Sequence, residues 1–255
     1  MLLAFPMPLP AQARSAGQIA RLIGSVNLQH GPRVVLASSG AKVFWNDLVT
    51  TLQDGRARIA LDDGSILNVG SNSSLKIIQH DAATQRTELQ LAYGRLRASA
   101  VRLARSGSSF QVRTPTAVAG VVGTSFDLSF LNDISSLSVD EGSVNFCNLA
   151  TPPQCVTVPA GFTSTIRGNN APSNPTPTSP GTATENVQST SVTGGVGAGV
   201  GAAAAGHVSV IVAVVGALGA VGGIVGVSVG NSGTKCGCTT VFPGGGVANR
   251  HSKHP

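Results

Sequence analysis

The chain has 255 residues, of which only 11% are charged and 4% aromatic, while glycine supplies 32. That mixture suits short strands and turns and excludes a helical bundle, which draws on far more Glu, Lys and Leu. The formal charge of +6 invites a nucleic-acid reading. However, the basic residues are scattered among acids, with no Lys-rich run and no aromatic–basic alternation on which bases would stack, so no nucleic-acid partner is expected. An anionic partner in a cell envelope is the better use of the charge.

From the N-terminus, residues 1–13 are apolar and end in Ala11-Gln12-Ala13. That small-x-small pattern, placed where the polar sequence begins, is expected to be the cleavage site of a truncated signal peptide whose true start lies upstream. The alternative is a floppy apolar N-terminus.

Residues 14–167 alternate apolar and polar side chains with period two, the strand signature. Ala57, Ile59 and Leu61 share one face of their segment, and so do Leu67 and Val69, Leu89 and Leu91, Phe126, Leu128 and Phe130, and Val144 and Phe146. Turn signals separate the runs: Gln53-Asp54-Gly55, Asp62-Asp63-Gly64, Asn132-Asp133 and Glu141-Gly142. Glycine takes positive φ without steric penalty, which is why Asp-Gly pairs favour tight hairpins. The expectation is an all-β domain of many short strands, a sandwich, roll or solenoid-like domain. Only Arg95–Ala104 reads as a candidate helix.

These motifs together resemble the FecR domain. Asn46-Asp47-Leu48-Val49-Thr50-Thr51, Asp63-Gly64-Ser65-Ile66-Leu67-Asn68-Val69, Leu91-Ala92-Tyr93-Gly94-Arg95-Leu96 and the run Phe110–Phe126 look like its successive segments, the last containing Thr114-Pro115-Thr116 and Gly123-Thr124. Glu141-Gly142-Ser143-Val144 and Val158-Pro159-Ala160-Gly161 match its closing elements. The resemblance covers about residues 17–167 and implies an exported β-rich domain used for sensing or contact. The family's namesakes are membrane regulators that pass siderophore signals to a sigma factor. This chain departs from their plan, since it lacks their sigma-binding N-terminal region and its apolar segment follows the domain. A stand-alone envelope module contacting a protein or polysaccharide fits better than sigma regulation.

Residues 168–207, rich in Pro, Ser, Thr and Gly, are expected to be a disordered linker, since such a stretch buries too little apolar surface to offset its ordering entropy. Residues 208–230, VSVIVAVVGALGAVGGIVGVSVG, are long enough for a C-terminal transmembrane helix, which needs ~20 apolar residues. The tail 231–255 carries Lys235, Arg250 and Lys253, so the basic-inside rule places it in the cytoplasm and the β domain outside. The competing reading is a secreted or surface-associated structural protein with a Gly/Ala-rich packing tail.

Candidate chemistry is sparse. Cys147 and Cys155 flank a short loop between two strand patterns, and in an oxidising compartment they are expected to form a disulfide. Arg95, Arg97, Arg102, Arg105 and Arg113 are the best candidate surface for an anionic partner. The plainer use of such residues is a solvated edge protected by charge. Cys236, Cys238, His251 and His254 match no standard zinc spacing, and no metal is expected. His30 and His80 read as solvated turn residues without a nucleophile beside them. Asp62 and Asp63 are adjacent and point apart. With no Gly-rich phosphate loop either, no catalytic residue and no cofactor is expected.

Overall fold

The structure, a computed structural model, describes residues 14–192. Seventeen strands and one helix follow one another: β1 (Ser15–Ile23), β2 (Val26–His30), β3 (Arg33–Leu36), β4 (Lys42–Phe44), β5 (Leu48–Thr51), β6 (Arg56–Leu61), β7 (Ile66–Val69), β8 (Ser73–Asp81), β9 (Arg86–Ser99), β10 (Ser109–Arg113), β11 (Ala117–Val121), β12 (Ser125–Leu131), β13 (Ile134–Glu141), β14 (Ser143–Asn148), β15 (Cys155–Pro159), β16 (Phe162–Arg167), β17 (Thr176–Pro177) and α1 (Pro180–Thr190). The all-β expectation for residues 14–167 holds.

The strands form two sheets that share β9. The first runs β4-β1-β6-β7-β9-β12-β13-β16-β17. The second runs β3-β2-β5-β8-β9-β10-β11-β14-β15. All pairings are antiparallel except β9 with β10. Ile59, Leu67, Leu96, Phe126 and Leu137 from the first sheet and Leu75, Leu89, Phe110 and Phe146 from the second are almost wholly excluded from solvent in one core. Period-two alternation is what lets each strand give one face to this core and the other to solvent.

The same four-strand pattern occurs twice. In β5–β8 the outer strands β5 and β8 pair in the second sheet, and the inner hairpin β6–β7 belongs to the first. In β11–β14 the outer strands pair in the second sheet, and the hairpin β12–β13 belongs to the first. The latter hairpin turns on Asn132 and Asp133, at φ 51° and 62°, as a two-residue turn requires.

β9 serves both layers by bending at Gly94. Its first half, through Tyr93, pairs with β8, and from Gly94 onward it pairs with β12. Gly94 has φ 96°, and a Cβ there would overlap Ser73, whose Cα would lie 2.5 Å away. The Ser73 hydroxyl accepts from the Arg95 N–H at 2.9 Å and pins the bend.

Two expectations are corrected. Arg95–Ala104 is not helical: Arg95–Ser99 is the end of β9, with Leu96 and Ala98 buried between β7 and β12, so pairing and alternation override helix propensity. The linker expected over 168–207 does not begin at 168. Through Thr178 the chain is held on β16: Thr163 pairs with Thr176, Ser173 accepts from Thr165 N at 3.0 Å, and the hydroxyls of Thr163 and Thr178 bond at 2.8 Å. α1 follows, capped by Ser179, whose hydroxyl accepts from Thr182 N at 3.2 Å, with Pro180 opening the helix. Composition marks this stretch as a spacer, yet its hydroxyls are the groups that bind it. The proposed signal sequence 1–13, the segment 208–230 and the tail 231–255 lie outside the described residues.

The Thr-Pro-Thr motif is structural. Ser135 of β13 is fully buried and its hydroxyl bonds those of Thr114 and Thr116 at 2.6 Å each, while Thr114 Oγ1 accepts from Ala117 N at 2.9 Å. Gly123, at φ 72°, would bring a Cβ within 2.6 Å of Arg102 Cα, so the crossing of the loop 100–108 requires glycine there.

Replacing Gly94 by Ala is expected to destabilise the domain by about 3 kcal/mol, combining a disfavoured φ with backbone overlap. Urea unfolding measures this; a loss under about 1 kcal/mol would show that the bend is not a constraint.

Candidate functional site

Strand register aligns a polar row across the outer face of the first sheet: Arg58, Asn68, Arg97, Asp127, Ser138 and Thr163, on β6, β7, β9, β12, β13 and β16. At its centre Arg97 bridges two carboxylates, Nη1 donating to Asp127 Oδ2 and Nη2 to Asp140 Oδ2, both at 2.7 Å. A guanidinium presents its donors as a planar fork, which suits this double grip.

α1 lies over this row. Glu185 pairs with Arg95, Arg56 Nη1 donates to the Ser191 carbonyl at 3.4 Å, and Thr190 and Val192 are buried. Gly70 leaves the room: a Cβ there would stand 3.0 Å from Ser189 O and 3.2 Å from Arg95 Cβ. A cavity of about 160 Å³ remains between Arg58, Asn68 and Arg97 below and Val187, Thr190 and Val192 above.

Asp127 is the electrostatic centre. Burial pushes its carboxyl up to about 7; Arg97 opposes the rise and Asp140 adds to it. Its Oδ1 has no hydrogen-bond partner among the described residues. Desolvation thus exceeds the benefit of the ion pair, as often happens when a charge leaves water.

The five arginines singled out above lie in three places. Arg95 and Arg97 sit at α1 with carboxylate partners. Arg113 is on the outer face of the second sheet, its Nε donating to Glu88 at 2.8 Å. Arg102 and Arg105 are exposed on the loop 100–108. They form no single patch. Asp127, Asp140 and Glu185 escape a sequence reading because register, and not spacing, brings them to the arginines. The only hint is Asp127, the one charge in its strand, set between Phe126 and Leu128.

Cys147 and Cys155 face each other in the β14–β15 pair and are joined by a disulfide, Sγ–Sγ 2.04 Å.

The histidines are not solvated turn residues. His30 ends β2 and its Nδ1 lies 2.7 Å from Oδ1 of the buried Asp47, whose Oδ2 accepts from Phe44 N at 2.6 Å. His80 is buried in β8, its Nδ1 2.9 Å from Thr87 Oγ1 and its Nε2 3.8 Å from Asp63 Oδ1. Burial holds the His80 pKa below its ordinary value, against the pull of Asp63, Asp62 and Asp81. Beside it, Trp45 Nε1 donates to the His80 carbonyl at 2.5 Å and the Arg14 guanidinium stacks 4.8 Å over the Trp45 ring. Asp62 and Asp63 do turn apart, to Ser15 and Ser65 respectively. Among the described residues no group of three or more His, Cys, Asp or Glu is placed to hold a metal. Cys236, Cys238, His251 and His254 lie outside the described residues.

Two sheets stitched by one common strand and built on a doubled four-strand unit define a β domain whose most distinctive sequence motifs serve its core and turns. Residues 47–145 match the sequence profile of the family described as FecR protein. The match opens at Asp47, which orients His30, and closes within β14, so it takes in both four-strand units and the strands between them. Two solved structures described as a "putative anti-sigma factor" from Parabacteroides distasonis ATCC 8503 align at 16% identity and TM-score 0.43, covering 50% of this chain and 59% of theirs. The chain therefore spans about three fifths of that protein's length, 59%. No curated protein matches the chain.

The raised Asp127 pKa has a sign that can be tested. A carboxyl whose pKa rises on folding, here to about 7 from 3.8, favours the folded state below pH 4 and loses that contribution as pH climbs through 7. The protein is expected to lose on the order of 2 kcal/mol between pH 5 and pH 8 from this group. Asp127→Asn is expected to remove that loss. Denaturant titrations at the two pH values read it, and an unchanged difference in the variant would show that Asp127 does not titrate there.

Proposed function

We propose that this chain is a FecR-type module of the cell envelope that acts in sensing or signalling by contact with a protein or polysaccharide, and not by catalysis. The observation that carries the reading is the FecR match over residues 47–145, which spans both structural units. Its distinctive residues, Thr114, Thr116 and Gly123, are engaged in hydroxyl bonding and backbone crossing and not in a reactive constellation.

In this reading residues 208–230 tether the chain to a membrane, with the FecR domain on the extracytoplasmic side. Among the described residues no helix is long and apolar enough to cross a membrane, so the tether rests on the sequence of 208–230 and on the basic residues after it. The Cys147–Cys155 disulfide belongs with an oxidising compartment. α1 is the last described element before the proposed tether. Its seat on the Arg97 row would fix where the chain leaves the domain. Of the five arginines singled out above, the exposed Arg102 and Arg105 are then the two without a carboxylate partner among the described residues, able to meet an anionic group of the partner.

Carbonate extraction of membranes from expressing cells, followed by protease treatment of intact spheroplasts, tests the placement. Pelleting of the full chain with cleavage from outside is expected. Release by carbonate favours the secreted alternative, and protection of the β domain in intact spheroplasts overturns the topology. Peptide mapping without reductant is expected to recover Cys147 and Cys155 in one cross-linked peptide pair; two free thiols would remove the oxidising compartment from the reading.

A further inference from the structure

Among the described residues, four strands of the two sheets have a neighbour on one side only: β3, β4, β15 and β17. An open edge offers unpaired N–H and C=O groups to any passing strand, and proteins blunt such edges with shortness, charge or proline. Three are blunted here. β4 has three residues and begins with Lys42, β17 has two and ends in Pro177, and β15 ends in Pro159. β3 is different. After Arg33 it reads Val34-Val35-Leu36, with Val34 58% and Leu36 73% exposed while Val35 packs on the core.

The ladder shows which backbone groups are open. Ala37 N donates to Val26 O at 2.8 Å, so residue 37 points its backbone groups towards β2. Antiparallel pairing alternates. Val35 and Arg33 therefore also face β2, while the N–H and C=O of Val34 and Leu36 face outward.

We propose that β3 is a self-pairing edge: two copies of the chain join antiparallel about a two-fold axis at Val35, continuing the second sheet across both molecules. In that register Val34 lies opposite the partner's Leu36, and Leu36 opposite the partner's Val34. Each of these pairs exchanges two backbone hydrogen bonds, because both residues have their open groups outward. The exposed Val34 and Leu36 side chains then cover each other on the outer face of the sheet. Arg33 falls opposite the partner's Ala37, which puts the two guanidiniums at opposite ends of the contact. Backbone groups, apolar side chains and charge are thus all satisfied by a second copy in a closed, isologous contact. A foreign strand would have to supply the apolar pair and the absence of opposing charge from its own sequence. One strand pair is a small interface, so the dissociation constant is on the order of tens of micromolar.

Sedimentation equilibrium of the full chain in detergent micelles over a hundredfold concentration range tests this, paired with amide hydrogen exchange. The expected result is a reversible monomer–dimer equilibrium in which the Val34 and Leu36 amides gain protection as concentration rises and the Val35 amide does not. Leu36→Lys is expected to raise the dissociation constant at least tenfold with an unchanged circular dichroism spectrum, because Leu36 is exposed and its loss leaves the core intact. With Cys236 and Cys238 replaced by Ser, Val35→Cys is expected to give a disulfide-linked dimer on mild oxidation that the same chain with Val35 does not give. Cross-strand partners at a position without hydrogen bonds have Cα atoms only about 4.5 Å apart. A chain that stays monomeric throughout overturns the proposal. So does self-association that Leu36→Lys leaves unchanged, which would place the contact elsewhere in the chain.

Discussion

The fold depends on one strand bending between two layers. β9 is the member common to both sheets, and it changes allegiance at Gly94, where a positive φ and the pressure of Ser73 leave no room for a side chain. Before the bend Leu89 and Leu91 serve the core from the second sheet; after it Leu96 and Ala98 serve it from the first. Every other strand is placed by its distance from this one. The polar row on which α1 rests exists because the bend carries Arg97 onto the outer face beside β12.

Much of the fold could be read from residue order, because alternation is a local signal. Ile59, Leu67, Phe126 and Phe146 announce their burial two residues at a time, and the turn residues Asn132 and Asp133 announce the hairpin. What local signals missed has physical causes. Arg95-Leu96-Arg97-Ala98-Ser99 has the composition of a helix, yet two flanking strands claim its backbone. The Ser, Thr and Pro residues from 168 to 192 look like a solvated spacer when judged by hydrophobicity. Their attachment is by hydroxyl and backbone hydrogen bonds to β16 and by a capped helix, neither of which carries an apolar signature. The two histidines looked like turn residues because their partners, Asp47 and Thr87, reach them only through strand register.

The candidate site was half legible. Arg95 and Arg97 stand out as charges alternating with buried residues, but charge alone does not tell a binding surface from a set of internal ion pairs. Asp127 is 30 residues from Arg97, and Glu185 is 90 from Arg95. Only tertiary structure brings them together. The outcome reverses the simplest interpretation of a basic cluster. The arginines nearest the middle of the row are already engaged by carboxylates, and the group left without a full complement of partners is an acid, Asp127. Burying a carboxylate beside a second one, Asp140, is what makes its ionisation unfavourable despite the guanidinium that joins them.

The order in which the strands leave the ribosome meets this architecture in a particular way. β1 to β8 lie to one side of β9 and β10 to β17 to the other, so the first half of the chain can assemble as two short layers with β9 as their common border. Until β10 and β12 arrive, that border is a 14-residue strand with its far side unmatched in both layers at once. Residues as late as Asn148 must be available before β11 and its partner complete the cover. A pause in synthesis between these points would leave the longest strand of the described domain open to foreign pairing.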